Sequence, residues 1–334
     1  MNPKRNLKGP ESTTPGGEKA LFRNYTTMLA SIIVLAPLIA FVAASAGDAD
    51  LSFMYCVRDC IKANEYPPGI LKLLLWDLES NCDYHCQQTL TDLTEASGER
   101  MQQFHGKWPF RRVMGVQEPA AVFFSMMNFW PHFANYRVFR NMHNPQGMYM
   151  KKYYLGAMFV GMNTWLWSTL FHTRDLLLTE RMDYFSALFY LFYALLLVTT
   201  RLFRLDLPSK RRIRYLVHTS ILSLYFIHIF YLSFIDFNYK LNMMVGVIVG
   251  LSQTLLWITL GIKLFRQTRD PAELILIISP LLATLGLLFE LNDFPPLMRL
   301  LDAHSLWHAS TVIPSALFYK WVKLDMLRPN KDKI

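Results

Sequence analysis

An all-α membrane protein is predicted: a seven-transmembrane helix bundle preceded by a small, disulfide-stapled helical lumenal domain. Three observations carry that prediction. Of the 334 residues, 52% are hydrophobic and 14% aromatic, and the apolar residues form long runs rather than amphipathic stripes. The only four cysteines fall in two closely spaced pairs near the start of the chain. Lysine and arginine alternate between the connectors that join the apolar runs. The formal charge of +9 does not mark a nucleic-acid binder, because the basic residues sit in these short connectors and form no compact basic domain.

Residues 1–46 read as a signal peptide. Lys4, Arg5, Lys8, Lys19 and Arg23 precede the apolar stretch Met28 to Ala44, and Ala44-Ser45-Ala46 supplies small residues for cleavage. An uncleaved signal anchor is the competing reading, and either one starts the following residues on the lumenal side.

Residues 47–118 form the lumenal domain. Cys56-x3-Cys60 and Cys82-x3-Cys86 place each pair on one face of a helix. In an oxidising lumen, two antiparallel helices favour the pairs Cys56–Cys86 and Cys60–Cys82; a four-cysteine zinc site competes, but such sites use closer knuckles. Lys107, Arg111 and Arg112 precede the first span, so this domain either contacts a substrate's glycan or phosphate or simply packs on the helices.

Residues 119–322 contain seven membrane-length runs, at 119–136, 153–172, 184–200, 213–233, 243–262, 271–289 and 303–322. Glu118-Pro119 and Asp270-Pro271 mark two helix starts, and Glu273 completes a cap-like pattern after Asp270. The first, third and fifth connectors and the tail 323–334, counted with Arg214 and Lys320 at the adjoining span ends, hold eighteen lysines and arginines, whereas the even connectors hold only Arg174, Arg181, Lys240 and Arg299. The odd connectors and the tail are therefore expected in the cytosol. The run Lys210 to Arg214 reads as a positive-inside anchor or a phosphoinositide patch.

Ionisable groups in membrane helices are expensive and mark functional sites. Ser168-x3-His172, Asp183 and His304-x3-His308 all fall at the lumenal ends of spans two, three and seven. The i, i+4 spacing lets two helices present His172, His304 and His308 to one ion, leaving a position open for water. Such a zinc site yields a hydroxide nucleophile near neutral pH, with Asp183 as proton carrier and Ser168 as oxyanion donor or water orienter. A Ser-His-Asp triad would leave His304 and His308 unexplained. His132, His218 and His228 read as structural histidines with interhelical hydrogen bonds.

Specific strings then identify a relationship. They are Phe104-His105-Gly106-Lys107-Trp108-Pro109-Phe110, Gln117-Glu118-Pro119, Trp167 to Asp175, Met182-Asp183-Tyr184-Phe185, Asp293-Phe294-Pro295-Pro296 and Asp302 to His308, with the Cys56 to Cys86 frame. The chain resembles the post-GPI-attachment-to-proteins phospholipase family, GPI-specific phospholipase A2-like members of the CREST superfamily of seven-span membrane hydrolases. The resemblance implies a zinc-dependent hydrolase that removes the sn-2 acyl chain of GPI anchors on GPI-anchored proteins. It implies residence in the endoplasmic reticulum membrane, or alternatively the Golgi, with the active site facing the lumen and no nucleic-acid partner. It maps the shared Ser, Asp and three His onto Ser168, Asp183, His172, His304 and His308, with Asp175 and Asp302 as outer or loop-capping residues. A ceramidase-like amide hydrolase and a lipid-binding receptor without turnover are the alternatives. A metal transporter would need ionisable residues along the whole path, and spans five and six offer almost none.

Overall fold

The computed structural model describes residues 45–64, 66–142 and 148–328. The expected signal segment lies outside these up to residue 44, as does the tail beyond residue 328. The described residues are helical, with isolated β-bridges but no strand.

Two helices build the small domain, α1 (Leu51–Ala63) and α3 (Leu78–Ala96), with the short α2 (Gly69–Leu73) between them. Asp50 caps α1 by accepting from Ser52 N, and Asp77 forms a capping box with Ser80. Disulfides Cys56–Cys86 and Cys60–Cys82 join α1 to α3, the pairing that antiparallel helices predict. Phe53, Cys86, Leu90 and Phe104 make the core they enclose. So small a core gains from covalent cross-links, which restrict the unfolded chain.

The long helices are α4 (Pro119–Arg140), α5 (Met148–Thr173), α6 (Leu177–Leu202), α7 (Arg211–Phe234), α8 (Tyr239–Thr268), α9 (Ile275–Asn292) and α10 (Ala303–Leu327). Each covers one expected run except α9, whose run begins at 271 while the α-helix begins at Ile275, and most extend past the run by several residues at one end or both. Four stretches among the described residues are long and apolar enough to cross a membrane: Leu177–Leu202, Pro208–Phe234, Tyr239–Thr268 and Pro271–Asn292. The remaining long helices, α4, α5 and α10, carry the polar residues of the site described below, which lowers their hydropathy.

Packing is built on α4 against α5 and α10, α5 against α6, α6 against α8, and α9 against α8 and α10. Helix α7 touches α6 and leaves Leu216, Leu224, Ile227 and Phe230 exposed, an apolar outer surface suited to lipid. Tyr154, Trp321, Tyr319, Leu197 and Leu260 fill the main core. Gly161 allows α5 to approach α4, since a Cβ there would overlap the His132 ring.

At the end of the bundle away from the histidine cluster, Arg201 Nη2 donates to Asp325 Oδ1 at 2.8 Å and Tyr154 O–H donates to Asp325 Oδ2 at 2.6 Å, all fully buried. The Asp270-Pro271 start opens as a 3-10 turn, Pro271–Leu274, with Asp270 capping Ala272 N. Glu273 does not cap it: buried, it accepts from Trp321 Nε1 at 2.8 Å and pairs with Arg328. Within the basic run, Lys210 donates to the Phe203 carbonyl and Arg214 to those of Leu205 and Asp206, capping the end of α6.

Candidate metal centre

Three histidines from two helices converge at one end of the bundle. His172 lies on the last turn of α5, and His304 and His308 lie on the first turns of α10. Helix α10 is aimed by its own start, where Asp302 and Ser305 form a capping box. Asp302, foreseen as an outer or capping residue, is thus the cap.

The His304 Nε2 atom lies 3.3 Å from His172 Nε2 and 2.9 Å from His308 Nε2. One ligand nitrogen from each ring falls within 4.8 Å of the others. Each outward nitrogen has its own partner. His172 Nδ1–H donates to Glu118 Oε2 at 2.7 Å, and His304 Nδ1–H donates to Glu290 Oε2 at 2.6 Å. His308 Nδ1 pairs with Ser125 Oγ at 3.1 Å.

Ionised carboxylates only accept, so Glu118 and Glu290 fix the Nδ1–H tautomers and turn bare Nε2 lone pairs inward. Lone pairs facing one another at this range repel unless a cation lies among them. Nitrogens about 2.0–2.1 Å from a tetrahedral zinc stand roughly 3.4 Å apart, close to the separations seen. The donor set therefore fits a divalent ion such as zinc, held by His172, His304 and His308, with carboxylate-backed imidazoles of the kind metal sites use.

Glu118 is the hinge between this centre and the small domain. Its backbone N–H donates to the His172 carbonyl at 2.9 Å, and its Oε1 accepts from Lys107 Nζ at 2.8 Å. Lys107 also pairs with Asp175 Oδ2 at 2.8 Å and lies over the Phe171 ring. Burial alone would push the Lys107 ammonium down, but Glu118 and Asp175 override it and hold it above the usual lysine range. For Glu118, burial would raise the carboxyl, but Lys107 and His172 keep it well below the usual carboxylate range. Of the two expectations for Lys107, contact with a substrate or packing on the helices, the ion pairs show it committed to protein carboxylates. Arg112 is likewise engaged within the protein: its Nη2 donates to Asn81 Oδ1 and its guanidinium stacks on Trp76 and Tyr84.

Asp183, on the second turn of α6, is buried within electrostatic reach of His172 and His304. Its carboxylate has no protein hydrogen-bond donor among those described. Ser168 is 2% exposed, and its Oγ lies 3.0 Å from Ser125 Oγ, so it reaches His308 through Ser125 rather than touching a histidine itself. Asn128 Nδ2 donates to the His308 carbonyl at 2.7 Å and its Oδ1 accepts from Thr311 Oγ1, bracing α4 against α10. His132, His218 and His228 pair with Tyr319, Thr200 and Asn242, as structural histidines should.

Sequence reasoning missed Glu118, Glu290 and Ser125. Glu118 read as a helix start, yet its side chain caps nothing. Glu290 ends the apolar run Leu288-Phe289, one residue past the expected span, and a carboxylate there was itself a signal. Ser125, Asn128 and His132 recur at helical spacing along α4, a weaker sign of a polar face.

The Per1-like family profile matches residues 68–326. A Schizosaccharomyces pombe protein named PER1 homolog is 37% identical, covering 90% of this chain and 93% of that protein. The human protein named GPI-specific phospholipase A2-like PGAP3 is 33% identical, covering 92% of this chain and 98% of that protein. A Drosophila melanogaster protein named post-GPI attachment to proteins factor 3 is 32% identical, over 89% and 94%. No solved structure matches the chain. The profile match and the relatives' near-complete coverage agree: the chain belongs to the Per1-like family.

Proposed function

We propose that the protein is a zinc-dependent membrane hydrolase that removes the sn-2 acyl chain from GPI anchors on GPI-anchored proteins. The observation that carries this reading is the convergence of three Nε2 atoms, two of them fixed inward by buried carboxylates. The names of the relatives supply the substrate class.

His172, His304 and His308 would hold the ion, which supplies Lewis acidity toward water and an ester carbonyl. Glu118 and Glu290 orient their imidazoles, and Lys107 neutralises Glu118. Asp183 takes the proton of the attacking water and returns it to the leaving alcohol. Ser168, with Ser125, lends hydroxyl donors on the α4 and α5 side, where an oxyanion can accept.

Seven spans follow if α4, α5 and α10 also cross, as their lengths and packing against the apolar helices support. With the connector charges, the histidine end then faces the lumen of the endoplasmic reticulum, the Golgi being the alternative. Residues 47–118 cover that end, following a signal segment over 1–46; the bundle runs over 119–322 and the cytosolic tail over 323–334. The test is zinc content of the purified full-length protein together with fatty-acid release from a GPI-anchored protein. One zinc per chain and release, both lost in His304→Ala, support the reading; release that persists in that variant defeats it.

A further inference from the structure

At the histidine end, the half-buried or buried side chains of Lys107, Arg112, Arg174 and Arg299 all have polar partners. Lys107 pairs with Glu118 and Asp175, Arg112 donates to Asn81, Arg174 to the Asp175 carbonyl, and Arg299 to Glu95, Asp92 and Gln88. Arg181 is the exception. Among the described residues it makes no hydrogen bond or ion pair, not even with the adjacent Glu180, and its Nε is shut off from solvent without a partner. Its guanidinium lies 5.2 Å from the centroid of the Phe237 ring. Glu180 acts on it electrostatically without touching it, so a ligand that brings a hydrogen-bonded counter-charge to this partly buried guanidinium gains accordingly.

An aromatic wall links Arg181 to the metal centre. Tyr184, one turn further along α6, stacks on the same Phe237 ring, with centroids 6.0 Å apart and planes at 10°. It also meets Tyr239 at 5.5 Å, and Tyr239 O–H lies 3.5 Å from Glu290 Oε1, the carboxylate that holds His304. Asp183 lies between Arg181 and Tyr184 in the chain.

Resting on the hydrolase reading above, we propose that Arg181, backed by Phe237, binds the phosphodiester of a glycerophospholipid substrate whose acyl ester lies at the histidine centre. The planar fork of the guanidinium matches two phosphate oxygens, and the aromatic ring holds its plane. In such a lipid the phosphate and the sn-2 ester are attached to adjacent glycerol carbons, so one headgroup spans both. Ceramide carries no phosphate and would leave Arg181 unused, which separates the phospholipid reading from the ceramidase-like alternative.

The test uses full-length protein in vesicles of neutral, phosphate-free glycolipid. Phosphatidylinositol and the diacylglycerol with the same acyl chains are offered to wild type, Arg181→Gln and Arg181→Lys, and phosphatidylinositol binding is measured separately by native mass spectrometry. Arg181→Gln should raise KM for phosphatidylinositol about 10- to 100-fold with little change in kcat, while diacylglycerol turnover stays within about twofold. Arg181→Lys should recover part of the loss. Equal losses on both lipids would mean a structural role and overturn the assignment. An effect that appears only in phospholipid vesicles would overturn it too, by making bulk headgroups the ligand. A wild type that binds phosphatidylinositol but hydrolyses neither lipid, nor a GPI-anchored protein added as a third substrate, sinks the hydrolase reading, while weakened binding by Arg181→Gln would still support the phosphate subsite.

Discussion

Replacing Glu118 by glutamine keeps the side chain's volume and removes one charge from a residue that is 5% exposed. Its two oxygens each receive a donor: Lys107 Nζ at 2.8 Å and His172 Nδ1–H at 2.7 Å. A glutamine offers one carbonyl and one amide N–H2, so one of the two donors must face another donor. Losing a single charge-assisted hydrogen bond costs about 1.5–3 kcal/mol. Loss of an outer partner of a metal-bound histidine lowers metal affinity about 10- to 100-fold, or about 1.4–2.7 kcal/mol, and the two figures agree. Zinc affinity of the purified full-length protein, measured by competition with a chromophoric chelator, should fall by that factor in Glu118→Gln. Lys107→Met should cost less, because His172 keeps its carboxylate and Asp175 loses only a salt bridge. An unchanged zinc affinity in Glu118→Gln, with the thermal midpoint also unchanged, would refute the role assigned to Glu118.

Asp183→Asn should lower kcat about 10²- to 10⁴-fold while zinc content stays at the wild-type level, since the role proposed for Asp183 is to move a proton and not to hold metal; loss of zinc in this variant would make it a ligand instead. Ser168→Ala should lower kcat by a smaller factor, at most about 10³-fold, and a covalent acyl-serine trapped from wild type would overturn its role as a donor. Asp325→Ala leaves Arg201 buried without its carboxylate and should destabilise the fold by about 3–5 kcal/mol, read as a fall in thermal midpoint in micelles; a change within about 0.5 kcal/mol would show that water reaches this end. His105 hydrogen-bonds Asp83, which raises the imidazole above its usual range despite burial. The protonated ring thus adds stability that is complete below its unfolded value and is lost as pH rises through the raised one. Between about pH 6 and about pH 8, the thermal midpoint of wild type should fall more than that of His105→Gln. Parallel curves would exclude the contribution.

Much of the fold could be read from the chain because apolar runs, cap residues and cysteine spacing are local signals. Two Cys-x3-Cys pairs sufficed to give both disulfides, since antiparallel helices leave one sensible pairing. The three histidines were legible for the same reason, lying one turn apart on α10 and at the end of α5. What holds them was not. Glu118 is 54 residues from His172, Ser125 is 183 from His308, and nothing local in either sequence announces the pairing. Glu290 is only 14 residues from His304, but the irregular Asp293 to Leu301 segment between them hides their register. For Lys107 the sequence left a substrate contact and packing on the helices both open, because nothing local to it announces the two carboxylates that draw it inward. Four helices carry an unambiguous membrane signal, and the polar residues that build the site are what dilute it in α4, α5 and α10.

Lipid mass spectrometry of GPI anchors tests the central claim most directly. Anchors would be isolated from cells lacking this protein, and from the same cells supplied with wild type or with His304→Ala. The account predicts that the original sn-2 chain persists without the protein and with His304→Ala, and is removed only with wild type. Removal restored equally by His304→Ala, or sn-2 chains that do not differ among the three, would contradict it.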